Sequence, residues 1–281
     1  MISTGASVEF RTSRGRVTGL RYGAATGQLL LAVPGLSQDA RSFDTLAQQL
    51  ASDTRQVVAI SPRGRGESEV TPLGTYGWEN HAQDLAEIAT QLGQETFDLM
   101  GWSFGGLVAL KAASLFGNRI RRIVLIDVVG RPDATSLGPV VKGLERLGGT
   151  FPTRDAYVDL VLSSGVAAGF EDVWRPYLTD DLIPTSNGFT TRTNKEAVIE
   201  DAVYGSNQDP YALWPSLTMP VLLVRAGREI LPGMGYIVSQ EDSKRFPAEV
   251  ESANVVSVDA NHYNAGYHPD SVRTIKDFLS A

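Results

Sequence analysis

Residues 97–105 read Phe97-Asp98-Leu99-Met100-Gly101-Trp102-Ser103-Phe104-Gly105, a short apolar run that ends in a G-x-S-x-G pattern. From Phe104 to Phe116 the apolar residues recur at three- and four-residue spacing, which predicts a helix. A serine between a strand and a helix sits on a sharp, strained turn. The flanking glycines are needed there because side chains would clash with neighbouring backbone. The hydroxyl then projects above the sheet edge, and the helix N-terminus supplies free N–H groups and a favourable field for a developing negative charge. Ser103 is therefore read as a nucleophile, against the blander reading of an ordinary Gly-rich turn.

Working outward, strands are expected at Val8–Arg11, Arg16–Tyr22, Gln28–Val33, Gln56–Ile60, Phe97–Met100 and Ile120–Ile126. Several are unbroken apolar runs, as strands buried on both faces should be. Helical spacing at Phe43–Leu50, Trp78–Leu92 and Phe104–Phe116 alternates with them, the pattern of a mostly parallel sheet covered by helices. From Arg131 to Pro215 no strand pattern recurs, and aromatics such as Tyr157, Trp174 and Tyr204 are scattered through helix-like segments. This predicts an inserted helical cap, 131–215, on a core formed by 1–130 and 216–281. Its aromatics are read first as packing residues. The alternation resumes with Pro220–Val224, Asp242–Phe246, Val255–Val258 and Ser271–Leu279.

The 281 residues suffice for one large domain with an insertion, and 42% apolar with 20% charged residues excludes disorder as the main state. Asp and Glu outnumber Lys and Arg, 32 to 25, leaving a net charge of −7 that opposes binding to nucleic acid or anionic lipid. Cysteine is absent, which removes disulfides, thiolate metal sites and a cysteine nucleophile and fits a reducing compartment. Met1–Phe10 lacks a signal-peptide pattern. The longest apolar stretch, Leu29–Leu36, is interrupted by Pro34 and Gly35 and falls far short of the roughly 20 residues that span a bilayer. A cytoplasmic protein acting on a small molecule is expected, with no membrane or nucleic-acid partner.

A serine nucleophile needs a base, and the chain has three histidines, His81, His262 and His268. His262, in Asp259-Ala260-Asn261-His262-Tyr263 between the last expected strand and helix, is the chosen base. His268 precedes Pro269 at the start of that helix and reads as a solvated residue near its cap. His81, beside Glu79, Asn80 and Asp84, reads as a surface group or a hydrogen-bonding residue beneath the cap. No third and fourth ligand is suitably spaced for a metal site, and no cofactor is expected. Arg63 and Arg65 lie in a Gly-punctuated turn without a phosphate-binding motif and read as structural. Arg119, Arg121 and Arg122 read as a basic cluster at a helix end.

Five segments together carry a resemblance: Leu29–Gly35, Ser61–Ser68, the Gly101–Gly105 turn, Ile123-Val124-Leu125-Ile126-Asp127, and Asn261-His262. Over nearly its whole length the chain resembles the α/β-hydrolase superfamily, and the run from Gly101 to Leu110 is similar to that of small carboxylesterases. The resemblance implies an α/β-hydrolase fold with a mostly parallel eight-stranded sheet flanked by helices, a cap over 131–215, and acyl-transfer chemistry. It also implies an oxyanion hole built from the backbone N–H groups of Leu36 and Phe104, with Pro34 where relatives usually have histidine. The triad acid usually follows the seventh strand, but there this chain has Gly227-Arg228-Glu229-Ile230, with Ile230 at the expected acid position. A subset of small esterases places the acid after the sixth strand, which Asp127 matches. Asp127 is favoured and Glu229 is the alternative, the latter read otherwise as a salt bridge to Arg225 or Arg228.

The expected function is a serine hydrolase of ester, thioester or lactone bonds, with Ser103, His262 and Asp127 as triad and Trp102 shaping an apolar substrate pocket. Cofactor-free lyases, C–C hydrolases, perhydrolases and dioxygenases share this fold, and a ligand receptor with a vestigial triad is a further alternative. The oligomeric state is not legible.

Overall fold

Leu29, Leu30, Leu31, Ala32 and Val33 are fully buried, and alternate members of this run face opposite sides of one sheet, as the two-residue period of a strand requires. Leu29, Leu31 and Val33 join one core cluster and Leu30 and Ala32 another. Each face needs a cover, which the intervening helices supply. The computed structural model describes residues 5–281. The first four residues of the Met1–Phe10 stretch read above lie outside the described residues.

In chain order the elements are β1 (Ala6–Thr12), β2 (Gly15–Tyr22), β3 (Gln28–Val33), α1 (Asp44–Leu50), β4 (Arg55–Ser61), α2 (Trp78–Gln91), β5 (Phe97–Trp102), α3 (Phe104–Phe116) and β6 (Ile120–Ile126). There follow α4 (Leu137–Glu145), α5 (Arg154–Leu162), α6 (Glu171–Asp180), β7 (Leu182–Thr185), β8 (Gly188–Thr191) and α7 (Lys195–Ser206). The chain closes with β9 (Val221–Ala226), α8 (Gln240–Glu249), β10 (Ala253–Val258) and α9 (Pro269–Ser280). Eight strands form one sheet in the order β1-β2-β4-β3-β5-β6-β9-β10. β2 runs antiparallel to both β1 and β4; β4, β3, β5, β6, β9 and β10 are mutually parallel. This is the α/β-hydrolase fold expected above. Apolar residues of α2, α3 and α8 cover one face, those of α1 and α9 the other.

Parallel strands carry all their C-terminal ends to one edge, the usual location of a ligand site in such sheets. Ser103 follows β5, Asp127 follows β6, Glu229 lies just beyond β9 and His262 beyond β10. Residues nearly 160 positions apart in the chain are thereby brought to a single rim.

Two expectations need correction. The segment 131–215 is not wholly helical, because β7 and β8 pair as a short antiparallel hairpin that Phe151 extends by bonding Phe189. Ile183, Thr185, Thr190 and Thr191 suit a strand, but Pro184 and Gly188 interrupt the four-residue runs and hide the pattern. Arg121 and Arg122 lie on β6 and not at a helix end; Arg121 pairs with the buried Asp98 at 2.8 Å. The segment's aromatics Tyr157, Trp174 and Tyr177 are buried in the second core cluster, as packing residues.

Candidate active site

Ser103 has φ 53° and ψ −120°, a left-handed conformation for a residue with a side chain, at the N-cap of α3. Such a backbone costs on the order of 1–3 kcal/mol and persists where the surroundings over-determine it. Those surroundings are the two glycines. A Cβ on Gly101 would run into the backbone of Gly105 and Gly106, and one on Gly105 into the Val33 carbonyl. The Ser103 N–H donates to Ile126 O at 3.0 Å, tying the turn to the end of β6.

His262 Nε2 lies 3.0 Å from Ser103 Oγ, and its Nδ1 lies 2.8 Å from Asp127 Oδ2. Asp127 is 1% exposed, and its other oxygen accepts from Ala226 N–H at 2.9 Å, so both carboxylate oxygens have partners. It too has a positive φ, 50°, which turns the side chain from the β6 end toward the histidine. The His262 carbonyl accepts from Trp102 Nε1 at 3.1 Å, anchoring the loop after β10. Trp102 is 2% exposed, packs against Phe43 and Tyr267, and borders the cavity over Ser103.

Glu229 is not at this site. It accepts from Gly233 N–H at 2.8 Å, and the salt bridges expected for it are absent among the described residues, because Arg228 pairs with Asp259 and Arg225 donates to Val238 O. His268 caps α9, with Nδ1 accepting from Asp270 N–H at 3.2 Å. His81 is buried and corrects the surface reading: its Nε2 lies 3.0 Å from Asp201 on α7, beneath the segment 131–215.

The loop carrying Leu36 is held from behind. Arg65, fully buried, donates through Nε and Nη2 to the Leu36 carbonyl at 3.1 and 3.0 Å and pairs with Asp201 at 2.7 Å. Gly35 N–H donates to Gln38 Oε1 at 3.2 Å. Burial alone would push the Asp201 carboxyl up, but His81 and Arg65 outweigh it and hold the group well below the usual carboxylate range. The structural reading of Arg65 thus acquires a target, the peptide beside Ser103. The Phe104 N–H, first in α3, has no partner within its helix.

A cavity of about 480 Å³ opens over Ser103 and His262, roofed by α4, α5 and the loops beside them. Leu36, Val140, Leu144, Val161 and Leu231 make much of its wall apolar, and Arg146 borders it. Arg146 Nε donates to the Tyr157 hydroxyl at 3.0 Å, and that hydroxyl donates to Asp181 Oδ2 at 3.1 Å. Sequence reading missed this group because its members lie on three separate elements. Among the described residues no cluster of three His, Asp or Glu is arranged to hold a metal, and no helix is long and apolar enough to cross a membrane.

Asp181 is 2% exposed, its Oδ1 has no hydrogen-bond partner, and burial together with nearby Asp39 pushes its pKa up to about 7. The folded state therefore holds this proton more tightly than the unfolded chain does. Its contribution to stability is present below the unfolded pKa and is lost as pH rises through the folded one. Thermal melts of Asp181→Asn and the parent between about pH 4 and pH 8 should show the variant gaining relative to the parent as pH rises, by up to a few kcal/mol. A gap constant across that range would rule out this titration.

The sequence model of a family described as the alpha/beta hydrolase fold matches residues 28–269. N-formylmaleamate deformylase of Pseudomonas putida is 27% identical over 212 residues, 74% of either chain. The 2-hydroxymuconate semialdehyde hydrolase of Pseudomonas putida is 26% identical over 237 residues, 75% of this chain and 81% of that one. The crystal structure of E-2-(acetamidomethylene)succinate hydrolase superposes with a TM-score of 0.88 at 22% identity, covering 99% of this chain and 100% of that one, a likeness of fold.

Proposed function

The chain belongs to the alpha/beta hydrolase fold family, and from that premise we propose that it is a serine hydrolase cleaving an ester-type bond of a small substrate through an acyl-enzyme. Hydrolysis is the chemistry that family and relatives support, since those relatives are named a deformylase and a semialdehyde hydrolase. The ester-type bond, whether carboxylic ester, thioester or lactone, is our narrower reading. The observation that carries the acyl-enzyme chemistry within it is the unbroken hydrogen-bonded line from Asp127 through His262 to Ser103.

In this reading His262 Nε2 accepts the Ser103 proton as Oγ bonds to the acyl carbon, and Asp127 accepts from Nδ1–H, holding the tautomer and stabilising the imidazolium. The Leu36 and Phe104 N–H groups receive the oxyanion, the Leu36 peptide being oriented by Arg65. Collapse breaks the carbonyl carbon to leaving-group bond, and His262 returns the proton to the departing alcohol, thiol or ring oxygen. Water then loses a proton to His262 as it attacks the acyl carbon; collapse breaks the bond from that carbon to Oγ, His262 returns the proton to Oγ, and the acid leaves. Residues 131–215 act as the cap that limits the substrate to what about 480 Å³ admits.

A fluorophosphonate should label the protein once, with the adduct on Ser103, and a p-nitrophenyl ester should give a pre-steady-state burst of one nitrophenol per chain. Labelling elsewhere, or ligand binding without any turnover, would replace the hydrolase reading by that of another chemistry or a receptor.

A further inference from the structure

A charged side chain without a countercharge borders the cavity over Ser103. Arg146 caps the C-terminal end of α4, and its hydrogen bonds go to a phenol, Tyr157, and to the carbonyl of Gly143 within that helix. Among the described residues no carboxylate lies within salt-bridge distance of it, and the hydrogen bonds it makes use Nε and Nη1 and leave Nη2 unused. Asp181 is reached only through the Tyr157 hydroxyl, and with its pKa pushed up to about 7 by burial it is not a full countercharge near neutrality. Burial works against the Arg146 charge, but the contact with Tyr157 outweighs it and the guanidinium stays protonated. Lys142 and Glu145 also border the cavity, but both are exposed and of opposite sign. A fixed cation beside an apolar wall is left to meet a ligand, where a lowered dielectric strengthens its attraction.

We propose that Arg146 binds a carboxylate of the substrate, so that the compounds hydrolysed are esters carrying one carboxylate beyond an apolar connector. This rests on the serine-hydrolase reading and adds a substrate class to it. One fixed guanidinium matches one negative charge, which favours a carboxylate over a phosphate dianion. The Tyr157 bond to Nε sets the plane of the guanidinium and leaves Nη2 for the ligand. Arg146 is thus a specificity residue, apart from the bond-breaking groups.

The test compares, within one preparation, kcat/KM for mono-p-nitrophenyl succinate, glutarate and adipate with their methyl p-nitrophenyl diesters, and for 4-acetoxybenzoate with its methyl ester. The ratio of acid to methyl ester cancels the concentration of active protein and corrects for partial misfolding. At least one pair should favour the acid by about tenfold or more, the range of a hydrogen bond to a charged group. In Arg146→Gln that ratio should fall below about threefold, in Arg146→Lys part of it should return, and in Lys142→Gln it should persist. A parent without preference for the acids, or a preference that survives Arg146→Gln or follows Lys142, overturns the proposal while ester turnover leaves the hydrolase reading standing. If no ester is turned over and no fluorophosphonate adduct forms, the hydrolase reading fails separately. Quenching of Trp102 and Trp174 fluorescence by monomethyl and dimethyl adipate then reads Arg146 alone. About tenfold tighter binding of the monoacid, lost in Arg146→Gln, keeps it, and equal binding refutes it.

Discussion

Ser103→Ala should lower kcat for ester hydrolysis by about 10⁶, with the loss in kcat and not in binding of the substrate. The hydroxyl contributes chemistry and one hydrogen bond, to His262, while the strained backbone at φ 53° is imposed by the turn and is the same for Ala as for Ser. The melting temperature should therefore move by a few degrees at most, because one partly solvated hydrogen bond is worth about 0.5–1.5 kcal/mol. Steady-state kinetics beside a thermal melt checks both parts. A variant that keeps most of its ester hydrolysis removes Ser103 as nucleophile, and one that unfolds assigns the loss to structure.

Asp127→Asn should reduce kcat by between about 10² and 10⁴, whereas Glu229→Gln should cost less than about tenfold. The direction follows from the two partners of Asp127. Oδ1 accepts from the Ala226 N–H at 2.9 Å, so an amide at this position keeps its oxygen there and turns its NH₂ toward His262. Nδ1 must then accept, which moves the ring proton to Nε2, where it faces Ser103 Oγ and blocks deprotonation. Among the described residues Glu229 accepts one hydrogen bond at its side chain, from the Gly233 N–H within its own loop. The reverse ranking of the two variants would move the acid to the end of β9. Large losses in both would mean one shared network, with a double mutant far from additive.

The fold was legible because its signals are local. The inner parallel strands, such as β3 and β9, are buried on both faces and read as largely apolar runs, and each covering helix shows its own periodicity. The boundaries of α3 follow from its spacing without reference to any other element. The β7–β8 hairpin escaped because four-residue strands holding Pro184 and Gly188 have too few side chains to show a period. His81 was left between two readings, since its partner Asp201 lies 120 residues onward on α7.

By itself the sequence determined the alternation of strands and helices outside 131–215, the serine turn with its two obligatory glycines, and a base drawn from three histidines. These rest on backbone sterics and short-range periodicity, which act between neighbours in the chain. Only the tertiary structure decided which carboxylate meets His262, that Arg65 grips the Leu36 carbonyl, and that Arg146 borders the cavity over Ser103. Asp127 and Glu229 both follow strand ends on the same rim, and their surrounding residues fit either assignment. The choice was made by the positive φ at Asp127 and by the register of β6 against β9, which sets the Ala226 N–H beside its carboxylate. Such contacts depend on strand registers and loop conformations that join distant parts of the chain, and no local pattern of residues encodes them.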